Sequence, residues 1–108
     1  MGSYQEFELE ELQADRSRSY AEFLRRPGVS MGIYHLPVGG KDPQHPHAAD
    51  EVYVVLAGRG TLMVEDERID VERGRVVSVD VGTEHRFVDV TEDLSVLVVF
   101  APPDTPDD

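Results

Sequence analysis

An all-β sandwich or barrel is the fold class this sequence predicts, on three observations. Short runs rich in Val, Leu, Ile and Tyr recur at spacings of roughly 8–12 residues. Turn signals separate them: Gly39-Gly40, Gly58, Asp66-Glu67, Gly74 and Gly82. No stretch alternates strand and helix patterns as a parallel sheet requires. At 108 residues and 40% hydrophobic content, the chain can build one core and not two.

The elements follow in order. Residues 1–28 read as an N-terminal extension. Phe7, Leu9 and Leu12 lie at helical spacing, which predicts a short helix over residues 8–15 or else an extended segment. Ser19 to Arg25 reads as an edge strand, because Pro27-Gly28 then turns the chain into the next run. From Val29 the pattern is β. Strands are expected at Val29–Leu36, Val52–Ala57, Thr61–Glu65, Arg68–Glu72, Val76–Val81, His85–Val90 and Leu94–Phe100. These make a domain over residues 29–101. Residues 102–108 are proline-rich and acidic, and read as a disordered tail.

Charge and composition exclude several function classes. The chain carries 22 acidic and 10 basic residues, a net charge of -12. Such a surface repels phosphate backbones and anionic lipid heads, so neither nucleic acid nor membrane is an expected partner. Cysteine is absent, which removes disulfides, thiolate nucleophiles and Cys-type zinc sites. The start MGSYQEFELEE has no basic or apolar leader region, so a cytoplasmic location is the default expectation. Phosphate-binding glycine loops and serine-hydrolase elbows are missing from the sequence.

The chemistry-bearing residues cluster in the loop GGKDPQHPHAADE. His45 and His47 are two residues apart, so in extended chain they point to one side. Glu51 follows at the head of a strand, on the same face as Tyr53 and Val55. His85 opens a later strand. Three imidazoles and a carboxylate form a mixed nitrogen/oxygen donor set. It suits one divalent transition metal (Fe, Mn, Ni, Zn or Cu) and suits Ca or Mg poorly. Four protein ligands on a six-coordinate ion leave two positions for water, dioxygen or substrate.

These spacings resemble a known family. Gly39, His45, His47, Glu51 and Gly58 match all five fixed positions of the first cupin motif. Gly74, Gly82 and His85 resemble the second motif, with Asp80 where proline is usual and Asp89 where asparagine is usual. The resemblance covers residues 29–100. It implies a single cupin β-barrel of jelly-roll topology, with His45, His47, Glu51 and His85 as metal ligands inside it. A homodimer is also expected, since small cupins commonly pair and a short barrel leaves edge strands to cover.

Further site residues follow from parity and neighbourhood. Tyr53 either fills core space or orients a bound ligand as a catalytic group. Val55 and Phe87 are expected as apolar pocket wall. Asp89 shares parity with His85 and Phe87, which suggests an acceptor for a ligand imidazole. Gln44 lies beside the ligand loop, where its side chain either makes a loop hydrogen bond or offers the site a carbonyl oxygen. His35 fits no ligand position and reads as a strand residue. Glu84 and Arg86 read as rim residues, and Asp42 and Asp50 as solvated surface. Three functions stay open: a metal-dependent enzyme on a small molecule (dioxygenase-like, or isomerase/lyase-like), a non-catalytic module binding a sugar or organic acid, and a metal-free jelly roll.

Overall fold

Alternation of apolar and polar residues sets up a sheet of six antiparallel strands, described in a computed structural model over residues 2–43 and 48–103. The strands are β1 (Tyr20–Arg26), β2 (Val29–Leu36), β3 (Asp50–Val64), β4 (Glu67–Glu72), β5 (Val76–Val79) and β6 (His85–Ala101). A single helix, α1 (Leu9–Ala14), precedes them. The fold is all-β, as the sequence predicts. The ligand loop over 44–47 and the tail over 104–108 lie outside the described residues.

The N-terminal expectation holds in outline. Glu10 and Glu11 in the first turn of α1 favour the positive end of the helix dipole. The expected apolar helix face does not form, because no residue of α1 is buried. Phe7 instead precedes the helix and packs edge-on against Phe23, with ring centroids 4.9 Å apart. Phe23 is available because the β1–β2 register slips between Glu22 and Leu24, leaving it as the extra residue. Arg26 pairs with Val29 across the Pro27-Gly28 turn, as expected.

Two expected breaks are bends instead. The sequence places strand ends at Gly58 and near Thr91–Asp93, yet β3 and β6 run through both. They pair from Asp50↔Ala101 to Val64↔His85, with register shifts between Val55 and Thr61. A bulge bends a strand while the ladder resumes beyond it. The consequence is two layers from one sheet. The first half of β3 lies between β5 and the second half of β6, which also carries β2 and β1. The second half of β3 lies between β4 and the first half of β6. The β3–β4 hairpin turns at Glu65-Asp66, one residue earlier than expected, with Glu65 at φ 53°.

The core fills the space between the layers. Tyr53, Val55, Val96, Val98 and Phe100 face inward from one, and Leu62, Val71, Phe87 and Val90 from the other. Each such side chain contributes about 1.5–3 kcal/mol by leaving water. Leu94 is wholly buried at the bend. His35 is also buried on β2, where Nδ1 shares a 3.3 Å hydrogen bond with Ser95 Oγ.

Gly58 makes the bend possible. Its φ is 92°, and a Cβ there would collide with the carbonyl oxygen of Asp93 and stand 2.8 Å from Leu94 Cα. Gly58→Ala should therefore cost about 2–4 kcal/mol in urea unfolding, from backbone strain plus overpacking. Gly74→Ala is the control: φ is 94°, but nothing stands within 4 Å of the added carbon. It should cost only about 1–2 kcal/mol. Equal losses would show that the close approach at Gly58 is not what matters.

His35 predicts a pH effect. Burial, then the positive charge of Arg16, holds its pKa below the ordinary 6.5, against an opposing pull from Asp15. The unfolded chain takes up this proton near pH 6.5 while the folded chain resists it. Its contribution is thus complete above pH 6.5 and is lost as pH falls towards the lowered folded value. Wild type should lose stability relative to His35→Gln between pH 7.5 and 5.5, with a ceiling of about 1.4 kcal/mol per pH unit for one proton. Parallel pH profiles of the two urea midpoints would refute this.

Candidate functional site

The pleat of β3 turns Glu51, Tyr53 and Val55 to the interior and Asp50, Val52 and Val54 away from it. On the facing layer, His85 and Phe87 point inward from β6. Glu51 is only 2% exposed and His85 only 8%. They come from ladder positions with other partners: Glu51 pairs with Val79 and Phe100, His85 with Val64. Their meeting is therefore a contact through the interior.

His85 Nε2 touches Glu51 Oε2 directly. Tyr53 donates its hydroxyl to the same carboxylate oxygen at 2.8 Å and stands 2.9 Å from His85 Nε2. His85 Nδ1 lies 2.7 Å from the Thr83 carbonyl. A carbonyl only accepts, so Nδ1 carries a proton. The phenol proton goes to Glu51, so Nε2 faces two oxygens whose lone pairs need a positive centre between. A second ring proton fills that place in the imidazolium form. Burial works against that form, but the hydrogen bonds to Glu51 and Thr83 outweigh it and raise the His85 pKa. Burial, followed by the Glu51 charge, pushes the Tyr53 phenol far above its usual value.

This cluster ends a cavity of about 520 Å³. Buried Glu51, His85 and Ala49 line it, together with half-buried Met63. Glu65, Asp80, Glu84 and Arg86 line it around Gly82 and Thr83. Glu84 and Arg86 are exposed, as the rim reading expects.

The remaining expected site residues divide. Gln44, His45 and His47 lie outside the described residues, although Ala49, two positions after His47, reaches the cavity wall. Val55 and Phe87, expected as pocket wall, are buried at 1% and 2% exposure and are not among the described residues that line this cavity. Phe87 supports the site from behind, edge-on to Tyr53 at 5.1 Å. Asp89 stands outside, 2.6 Å from Arg68, and among the described residues it meets no imidazole. The cause is local: Asp89 has φ 49°, and the inward pattern steps from Phe87 to Val90, so the parity argument fails at this residue.

Asp42 is the residue that sequence reasoning missed. Its carboxylate accepts the Tyr34 hydroxyl at 2.9 Å and the Phe87 backbone N–H at 2.9 Å. It thereby ties the chain leading to the ligand loop to both layers. Asp50 is likewise not idle surface, since it accepts the Val81 N–H at 2.8 Å. Neither has a sequence signal beyond an aspartate in a loop or at a strand start. Asp42→Asn loses one of two acceptor oxygens and should cost about 1–3 kcal/mol in urea unfolding. Tyr34→Phe removes the hydroxyl donor to Asp42 and should cost about 1 kcal/mol. A neutral Asp42→Asn would mean the carboxylate does not hold this junction.

Two facing antiparallel layers with a carboxylate–imidazole contact at the inner end of a cavity define a small β-barrel protein with an internal polar site. The chain belongs to the cupin family: the cupin domain model matches residues 32–100. It is 47% identical over 102 residues to the uncharacterised protein SCO3923 of Streptomyces coelicolor, covering 92% of this chain and 97% of that protein. It is 31% identical over 88 residues to an acireductone dioxygenase of Ixodes scapularis, covering 77% of this chain and 48% of that protein. Among solved structures, BH2720 from Bacillus halodurans superposes with a TM-score of 0.81 at 18% identity, over 94% of this chain and 83% of that one.

Proposed function

We propose that this protein is a metal-dependent enzyme acting on a small organic molecule at the Glu51–His85 cavity. The observation that carries the reading is the Nε2–carboxylate contact itself, with Nδ1 committed to the Thr83 carbonyl. That bond fixes the tautomer with Nε2 as the ligating nitrogen, which is how metal-binding imidazoles are usually held. The positive centre that Nε2 and Oε2 require is a proton or, in exchange for it, a cation. The donor chemistry therefore fits a divalent transition ion. Among the described residues no group of three or more metal-ligating side chains is gathered. His45 and His47 supply the rest of the proposed set.

Bound there, Fe, Mn, Ni, Zn or Cu would supply Lewis acidity or, for a redox ion, electron transfer. The chain's own residues do the positioning. Thr83 orients His85. Tyr53 keeps its proton, because its pKa is raised, and holds the Glu51 carboxylate in place. That hydroxyl is committed to Glu51 and His85, so Tyr53 acts as a positioning residue and not as the catalytic base. The name of the Ixodes relative favours the dioxygenase branch. The chain spans about half of that protein. A second reading, a binding module without turnover, is favoured by one observation: the buried ionisable groups at the cavity's inner wall, Glu51 and His85, are already engaged with each other.

Protein purified without chelator should carry a first-row transition metal by elemental analysis. Glu51→Gln and His85→Gln should each lower zinc or nickel affinity by more than about 100-fold, beyond the range of a supporting residue. Losses within about tenfold would sink the ligand assignment. Metal with oxygen uptake supports the enzyme; metal with ligand retention and no turnover supports the binding module.

A further inference from the structure

We propose that the cavity selects neutral or positively charged small molecules and turns away organic acids and phosphate esters. This rests on the reading of the cavity as a ligand site and narrows it to a substrate class. Three carboxylates, Glu65, Asp80 and Glu84, line the cavity with one guanidinium, Arg86. They come from three different places in the fold: the β3–β4 turn, the segment after β5, and the approach to β6. A ligand reaching the Glu51–His85 end of this cavity passes side chains of predominantly negative charge. The chain as a whole, at -12, adds a field of the same sign.

All three carboxylates are exposed at the cavity's edge, so the field they set up acts on an entering ligand and is strongest at low salt. Carboxylate- and phosphate-binding sites place guanidinium forks or clustered backbone N–H groups at the anion. Here the single arginine is outnumbered, and the remaining lining adds the Glu51 carboxylate together with apolar Ala49 and Met63. An anionic ligand must pass these carboxylates before it meets His85 and any cation held beside it. A neutral one meets no such barrier, and a cationic one is drawn in.

The test uses zinc-loaded protein and three probes sharing one catechol head: dopamine (cationic), catechol (neutral) and 3,4-dihydroxyphenylacetate (anionic). Amide shifts of Glu51, Met63, Thr83 and His85 in 15N-correlated spectra report binding at the cavity. Affinity should fall in that order, by about tenfold from first to last at low salt, and the spread should shrink near about 0.5 M NaCl. The triple variant Glu65→Gln/Asp80→Asn/Glu84→Gln should bind the three probes nearly equally. Equal or reversed affinities in wild type overturn the charge selection and leave the ligand site standing. An order unchanged in the triple variant overturns its assignment to these carboxylates. Cavity shifts with none of the probes overturn both the ligand site and the selection built on it.

Discussion

The candidate site depends on one uncomfortable contact. A carboxylate and an imidazole, each almost sealed from water, are pressed together between two layers. Removing either charge from water costs several kcal/mol, and their attraction offsets this only if the surrounding hydrogen bonds are complete. The chain supplies those bonds from different elements: the Tyr53 hydroxyl from β3 and the Thr83 carbonyl from the loop before β6. A purely apolar pair at these positions would suit the fold as well or better. That polar groups stand here instead is the strongest structural argument that the position serves chemistry.

The contact in turn depends on how two long strands bend. Glu51 and His85 sit at opposite ends of the paired β3–β6 ladder, thirteen or more residues of strand apart. In a flat sheet they would be far apart. The bend near Gly58, where β3 passes close to the Asp93 carbonyl, folds the ladder over so that its ends oppose. Register shifts also reset the pleat. β3 is buried at odd positions before the bend and at the neighbouring pair Thr61 and Leu62 beyond it. The same strand can then present Glu51 to the cavity and still bury Leu62 in the core. A structural device and a functional one are thus the same local irregularity.

That irregularity explains what the sequence revealed and what it concealed. The all-β class, the short helix, the Pro27-Gly28 turn and the inward face of Glu51 and Tyr53 were legible because each rests on local periodicity or turn chemistry. His85 was legible because it opens a strand. Parity fails once a bulge intervenes, and Asp89 occupies one, so its side chain leaves the interior for Arg68. Strand ends were misread for a related reason: glycine marks a bulge as readily as a terminus. Asp42 was hidden because its partners, Tyr34 and Phe87, lie on different strands, and nothing local to Lys41-Asp42-Pro43 points to either.

The acidity of the chain is also more than a solubility device. Asp42, Asp50 and Asp93 each accept a backbone N–H from a distant segment: Phe87, Val81 and Val38. Aspartate suits this use because its carboxylate sits one carbon from the backbone, loses little rotamer freedom, and accepts strongly. Such bonds hold loops against strand ends where the ladder has run out of partners. Two of them, from Asp42 and Asp50, flank the segment that carries His45 and His47. The chain on either side of that segment is therefore pinned by carboxylates at fixed points of the barrel, from Asp42 on one side to Phe87 and from Asp50 on the other to Val81.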